Sequence, residues 1–266
     1  MKKIKMTFHT VKRKRCKKEA EKKPKKPLVL FCISDLHGNI YEPENRPVIE
    51  RAAALAPDLI LASGDMLSGE NEKSDEIALA LLTGLLEIAP VCFVDGNHEI
   101  QVRELQTERY DRFIRKLKNR GIYVLNNESV HFELYGRKVA VYGYELPWEY
   151  YQRFSRKRPA VSDIRKSIGV PDADEYNILL THNPVFFQEY ADWGADFVFA
   201  GHLHGGFIRL PFLGGIISPQ FQIFPKYDRG LFELGKSRMV VSAGMGNHSW
   251  LFRINNPTEM IAVKIY

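Results

Sequence analysis

A chain of 266 residues with 45% hydrophobic and 26% charged side chains is long enough to bury its own core. That excludes a wholly disordered chain and a disulfide-stapled miniprotein. The net charge of +6 is uneven, because residues 1–26 hold 13 Lys/Arg against only Glu19 and Glu21, which leaves residues 27–266 at −5. An acidic body disfavours nucleic acid as a partner, since such binding spreads Lys and Arg over a folded face.

Residues 1–26 read as a basic, disordered leader, either solvated with no specific partner or in peripheral contact with an anionic membrane surface, and residues 27–266 as one catalytic domain. No signal-peptide pattern is visible, and the apolar stretch 77–90 is too short to span a bilayer and carries Glu87. Cys16, Cys32 and Cys92 are odd in number and widely spaced. That argues for reduced thiols in a cytoplasmic protein, with the inner face of the membrane as an extension of the basic leader.

From Leu28 the chain alternates short apolar runs with helical stretches. The runs at 28–34, 58–63 and 90–96 are nearly continuous, as strands buried on both faces are. Helices are expected at 47–56, at 74–88 with Ser74 as its cap, and as a single charged segment over 103–119. Such strand–helix–strand repetition implies parallel pairing through right-handed crossovers. In the second half GIYVLN, SVHFELY and KVAVYGYE read as strands, 148–172 as a less regular stretch, and 177–182 and 196–201 as buried strands again. LFELG, RMVVSAG and MIAVKIY close the chain as further strands, giving one α/β domain with two packed sheets and outer helices.

Polar residues fall where these strands end. Asp35 and His37 follow the first, Asp65 the second, and Asn97 and His98 the third; His182 ends NILLTH, and His202 and His204 follow DFVFAG. Open α/β sheets bind ligands outside the carboxyl ends of their strands. Each motif alone has a plainer reading, as a turn former, a helix cap or a hydrogen-bonded structural histidine. Five separate segments ending in the same few donor types argue for a metal site. Carboxylate, amide oxygen and imidazole without thiolate suit Mn, Fe, Zn or Ni better than Ca. Asp65 has two oxygens with which to bridge two ions, and a pair of divalent ions sharing a hydroxide both makes a nucleophile and clamps a phosphoryl oxygen. With Asp35 and Asp65 ionised such a site carries roughly +1, a match for a phosphodiester.

The series D-x-H (Asp35, His37), G-D (Gly64, Asp65), G-N-H-E (Gly96–Glu99), His182 and G-H-x-H (Gly201, His202, His204) resembles the calcineurin-like metallophosphoesterases. THNP, GHLHGGFIRLP, VSAGMGNH and FRINNPTEM look more narrowly like the YkuE/YaeI-type phosphodiesterase branch. The resemblance implies a four-layer α-β-β-α sandwich with two mixed sheets. It implies a dinuclear centre, Mn favoured, with one ion on Asp35, His37, Asp65 and His204 and the other on Asp65, Asn97, His182 and His202. His98 would then be the proton donor at the phosphate, oriented by Asp65 or Glu99. Asn39 departs from the branch pattern and adds a polar contact for substrate at the mouth.

The expected activity is metal-dependent hydrolysis of a phosphodiester or pyrophosphate bond, on a lipid-linked or nucleotide substrate. The apolar segment 205–225 after His204 reads either as a loop folded onto the protein's own core or as a rim for that substrate. A phosphomonoesterase or nuclease of the same fold, and a non-catalytic scaffold, are the alternatives. Tyr144, Trp148, Tyr150 and Tyr151 read as packing residues, and His248 and His131 as structural ones.

Overall fold

Apolar runs too short for helices form strands whose side chains alternate between two cores. The computed structural model describes residues 4–12, 26–153, 155, 157–206, 208–210, 213–218, 223–246 and 253–266. Its strands are β1 (Lys5–Val11), β2 (Leu28–Ile33), β3 (Leu59–Ser63), β4 (Val91–Val94), β5 (Tyr123–Val124), β6 (Ser129–Leu134) and β7 (Arg137–Tyr144). They continue as β8 (Tyr176–Thr181), β9 (Phe197–Ala200), β10 (Arg209–Leu210), β11 (Gly214–Gly215), β12 (Gly230–Leu234), β13 (Ser237–Val241) and β14 (Glu259–Ile265). The helices are α1 (Arg46–Leu55), α2 (Lys73–Leu86), α3 (Asn97–Leu105), α4 (Thr107–Asn119), α5 (Val161–Ile168) and α6 (Phe187–Trp193).

One six-stranded sheet has the order β1-β14-β2-β3-β4-β5 and the other β12-β13-β9-β8-β7-β6. β2 to β5 are parallel, as are β7, β8, β9 and β13, whereas β14, β6 and β12 pair antiparallel with their inner neighbours, so both sheets are mixed. Leu30, Cys32, Leu61 and Val94 meet Val141, Ile178, Leu180 and Phe199 between the sheets. The alternate residues Phe31, Ile33, Ile60 and Phe93 point outward under α1, α2 and α4, and Leu179 and Val198 lie under α5 and α6. The result is the four-layer α-β-β-α sandwich. Burying each such side chain contributes about 1.5–3 kcal/mol, which places the main stabilisation in these three interfaces.

Four local expectations are corrected. Part of the supposed leader is folded, because β1 pairs in parallel with β14 over residues 5–11. Val11 enters the inter-sheet core, Met6 packs on the outer one, and Thr7 Oγ1 donates to Glu259 Oε2 at 2.5 Å. Residues 1–3 and 13–25 lie outside the described residues, so most of the basic stretch falls between two strands of one sheet. The segment 103–119 is two helices, broken at Gln106, whose backbone (φ −143°, ψ 54°) is not helical. Ser74 lies inside α2, after its N-cap Glu72; its hydroxyl accepts from Ser68 N–H instead of capping the helix. The stretch 148–172 contains α5, whose Ile164 and Ile168 are buried.

Candidate metal centre

Parallel strands deliver the polar residues to one edge. β2 leads into Asp35 and His37, β3 into Asp65, β4 into Asn97 and His98, β8 into His182, and β9 into His202 and His204. The chain turns sharply here: Asp35 (φ 53°), His37 (48°), Asp65 (53°), His202 (69°) and His204 (50°) all hold left-handed backbone. Non-glycine residues in that region cost on the order of 1–3 kcal/mol each, and such strain concentrates at functional sites. The preceding glycines are required sterically, since a Cβ on Gly96 or Gly201 would strike the carboxylates of Asp65 and Asp35.

The side chains converge in three overlapping groups. Asp35, His37 and His204 form one, His37, Asp65 and His98 a second, and Asp65, His182 and His202 a third, each with one donor atom per residue within 4.8 Å of the others. Asp65 therefore belongs to two groups that share no other member with each other. The rings of His204, His37 and His98 stand in a row, with centroids 5.1 and 4.6 Å apart. Asn97 opens α3 beside them, and its buried Oδ1 has no hydrogen-bond partner among the described residues. Asn39 closes its own turn, Nδ2 donating to Leu36 O at 2.9 Å. His248 lies outside the described residues, and His131 is on β6, paired with Glu175 at 2.8 Å.

Hydrogen bonding sets where protons can sit. His182 Nδ1 is 2.5 Å from Ser63 O, and a carbonyl only accepts, so Nδ1 carries the proton. Nε2 is then left facing Asp65 Oδ2 at 3.1 Å, a gap that needs a positive charge. Burial opposes a charge on His182, but Asp65, with Asp35 and the Ser63 carbonyl, outweighs it and raises its pKa to about 9. Burial likewise opposes a charge on Asp65, yet His182, His98 and His37 hold it well below the usual carboxylate range. Asp35 is pushed up to about 6 by burial, which His182 opposes and Asp65 reinforces. A buried carboxylate–imidazole lattice with an unsatisfied amide oxygen fits divalent cations. Among the described residues thiolate takes no part, because Cys32 and Cys92 are buried in the inter-sheet core.

Other residues complete this edge, of which Arg253 and Asn256 carried no site signal of their own in the sequence. Glu99 does not orient the His98 ring: its carboxylate accepts the backbone N–H groups of Asp65 (2.7 Å), Leu67 (2.8 Å) and Gly96 (2.8 Å), pinning two ligand loops together. Asp65 meets His98 through the backbone, with His98 N–H donating to Oδ1 at 2.8 Å. Tyr151 packs its ring against His202 at 5.1 Å. Arg253 Nη2 lies 2.9 Å from His204 Nδ1 and also donates to Gly246 O. A guanidinium only donates, so His204 Nδ1 accepts here, and a cation at Nε2 requires its ring proton to move and Arg253 to release Nδ1. Asn256 Nδ2 ties down the same loop through the carbonyls of His204 and Gly206.

The buried acids give the metal-free protein a definite pH response. Asp95 takes a hydrogen bond from Tyr110 at 2.5 Å and is raised to about 8 by burial and by Glu99; burial and Asp65 raise Glu99 to about 7. Both groups keep a proton in the folded chain that the unfolded chain loses near pH 4. The stability these two groups contribute is therefore full below that pH and is lost as pH rises through about 7 and 8. Thermal melting of EDTA-treated protein is expected to drop steadily from pH 5 to pH 8.5, and Asp95→Asn to flatten the upper part of that slope. A melting temperature that rises over this range would refute the assignment.

The comparisons with known proteins agree with this geometry. Residues 28–206 match the family model described as calcineurin-like phosphoesterase. The chain is 30% identical over 225 residues to YpbG of Bacillus subtilis (strain 168), covering 83% of this chain and 72% of that protein. It is 28% identical over 246 residues to phosphodiesterase YaeI of Escherichia coli (strain K12), covering 90% and 82%. Among solved structures, TT1561 of Thermus thermophilus superposes with a TM-score of 0.50 at 13% identity over 82% of this chain and 90% of that one, a likeness of fold.

Proposed function

Because this chain belongs to the calcineurin-like phosphoesterase family and is a phosphoric ester hydrolase, we propose that it cleaves phosphodiester or pyrophosphate bonds at a dinuclear centre on the shared sheet edge. The observation that carries this reading is Asp65, buried at a strand end and common to two otherwise separate donor groups. Asp35, His37, Asp65 and His204 would hold one ion, and Asp65, Asn97, His182 and His202 the other. Such a pair supplies, when bound, a nucleophile at neutral pH and positive charge for the phosphoryl oxygens. The N/O donor set suits Mn, Fe, Zn or Ni, and Mn is the ion favoured here on the family resemblance.

The protein's own groups do the rest. His98, at the end of the row of rings, donates a proton to the departing oxygen. Glu99 keeps the Asp65 and Gly96 loops in register. Asn39 stands at the mouth as a substrate contact. In the segment after His204, Leu210, Leu213, Ile223 and Phe224 are exposed, which supports an apolar group on that side of the substrate, lipid or nucleoside; residues 207, 211–212 and 219–222 of the segment lie outside the described residues. The basic stretch between β1 and β2 supports peripheral contact with an anionic membrane, in a cytoplasmic protein working at the inner face. No helix among the described residues is long and apolar enough to cross a bilayer.

Hydrolysis of bis-p-nitrophenyl phosphate with added Mn tests the proposal. Activity is expected to vanish with EDTA and to return on adding Mn, with about two ions per chain by metal analysis. Activity that survives exhaustive chelation, or protein that takes up no metal, removes the reading.

A further inference from the structure

A cleft of about 430 Å³ opens from His37 and His98, away from His204. One wall is the face of α3 carrying His98, Gln101 and Leu105, successive neighbours on that helix. The opposite wall is the loop 68–71, with Ser68, Glu70 and Asn71. That loop is braced from behind by buried Arg109, which donates to the carbonyls of Ser68 (3.0 Å) and Asn71 (3.1 Å). The Arg109 charge is neutralised by Asp75 at 2.6 Å, and that of nearby Arg103 by Glu145 at 2.6 Å. Among the described residues no Lys or Arg lines the cleft, and the one carboxylate lining it is the exposed Glu70. Beyond the two site histidines at its inner end, its polar side chains are the neutral Ser68, Asn71, Gln101 and Gln106. Asn71 is oriented by Lys73 N–H, which donates to its Oδ1 at 3.1 Å, so that Nδ2 remains as a donor. The Gln101 amide sits against Gly69, across the same gap.

We infer that this cleft seats the leaving alcohol, and that the alcohol is an uncharged polyol such as a glycerol or sugar group. The inference rests on the reading of His98 as proton donor. The phosphorus–oxygen bond to the alcohol breaks with its electron pair passing to oxygen. Water's oxygen forms the new bond to phosphorus, and the alcohol departs with the His98 proton, which water replaces. The departing group must therefore lie on the His98 side, where amides and a hydroxyl match its hydroxyls. Past His98, which gives up its proton in the step, a carboxylate or second phosphate would meet Glu70 with no Lys or Arg among the described lining residues to offset it.

Kinetics of the Mn-loaded full chain on three diesters test this: bis-p-nitrophenyl phosphate, bis(glycerol) phosphate, and the glycerol phosphodiester of glyceric acid. The glycerol diester is expected to be preferred over the glyceric acid diester by at least about tenfold. A hydrogen bond between neutral groups is worth a few-fold to about tenfold in affinity. Gln101→Leu should therefore lower the kcat/KM ratio of bis(glycerol) phosphate to bis-p-nitrophenyl phosphate by roughly three- to tenfold. It should also weaken calorimetric binding of bis(glycerol) phosphate to the His98→Ala protein by the same factor. Gln101→Lys should shift preference toward the glyceric acid diester. Equal rates on the charged and uncharged diesters, or an unchanged ratio in both variants, overturn the inference while hydrolysis of bis-p-nitrophenyl phosphate keeps the phosphoesterase reading standing. If no diester is cleaved, the underlying reading fails first.

Discussion

Asp65→Asn is expected to lower kcat/KM for bis-p-nitrophenyl phosphate by roughly 10²–10⁴ and to leave at most one metal ion per chain. The substitution keeps shape and volume but removes the charge that every neighbour is arranged around. Asp65 is 1% exposed, its Oδ2 is 3.1 Å from His182 Nε2 and 3.9 Å from His37 Nε2, and three histidines hold it ionised against the cost of burial. Removing one partner of a buried charge pair costs about 3–5 kcal/mol, which is that range of rate when expressed in the transition state. The neutral amide also leaves the positive end of His182 without its main counter-charge, so His182 should titrate below its present value of about 9. Metal analysis by mass spectrometry beside the rate separates the outcomes. Full metal content with full activity would show that Asp65 bridges nothing.

The sheet edge was readable in the sequence because strands buried on both faces are short, continuous apolar runs, and whatever follows them must sit at their carboxyl ends. That logic placed Asp35, Asp65 and His182 at one rim. It could not find β1, a half-exposed edge strand whose Phe8 is 65% exposed and whose neighbours in sequence are lysines and arginines, so averaging charge over residues 1–26 hid it. The division at Gln106 was equally hidden, since no Gly or Pro marks it and the Gln106 amide instead donates to Gly69 O, a contact across 37 residues. Glu99 was visible as a motif residue, but its partners are backbone N–H groups, and those are decided by loop conformation. Arg253 meets His204 across 49 residues beside the bridge of Ile254 to Ile208, a long-range closure that no local pattern records.

His98→Ala separates proton donation from metal binding, because the two roles respond differently to the leaving group. His37, Asp65 and His98 can also hold a cation between them, so geometry alone allows either. If His98 donates a proton, the variant keeps two ions per chain and loses roughly 10²–10⁴ in turnover on an alkyl diester, whose alkoxide cannot depart unprotonated. On bis-p-nitrophenyl phosphate the loss should be much smaller, since p-nitrophenolate leaves readily without help. The pH profile should change in step: the falling limb that reports the acid form of the donor should disappear for the alkyl diester. Should His98 instead bind an ion, metal content falls, and activity drops by the same factor for both substrates. The leaving-group dependence of the loss, more than its size, therefore decides what the imidazole beside His37 does.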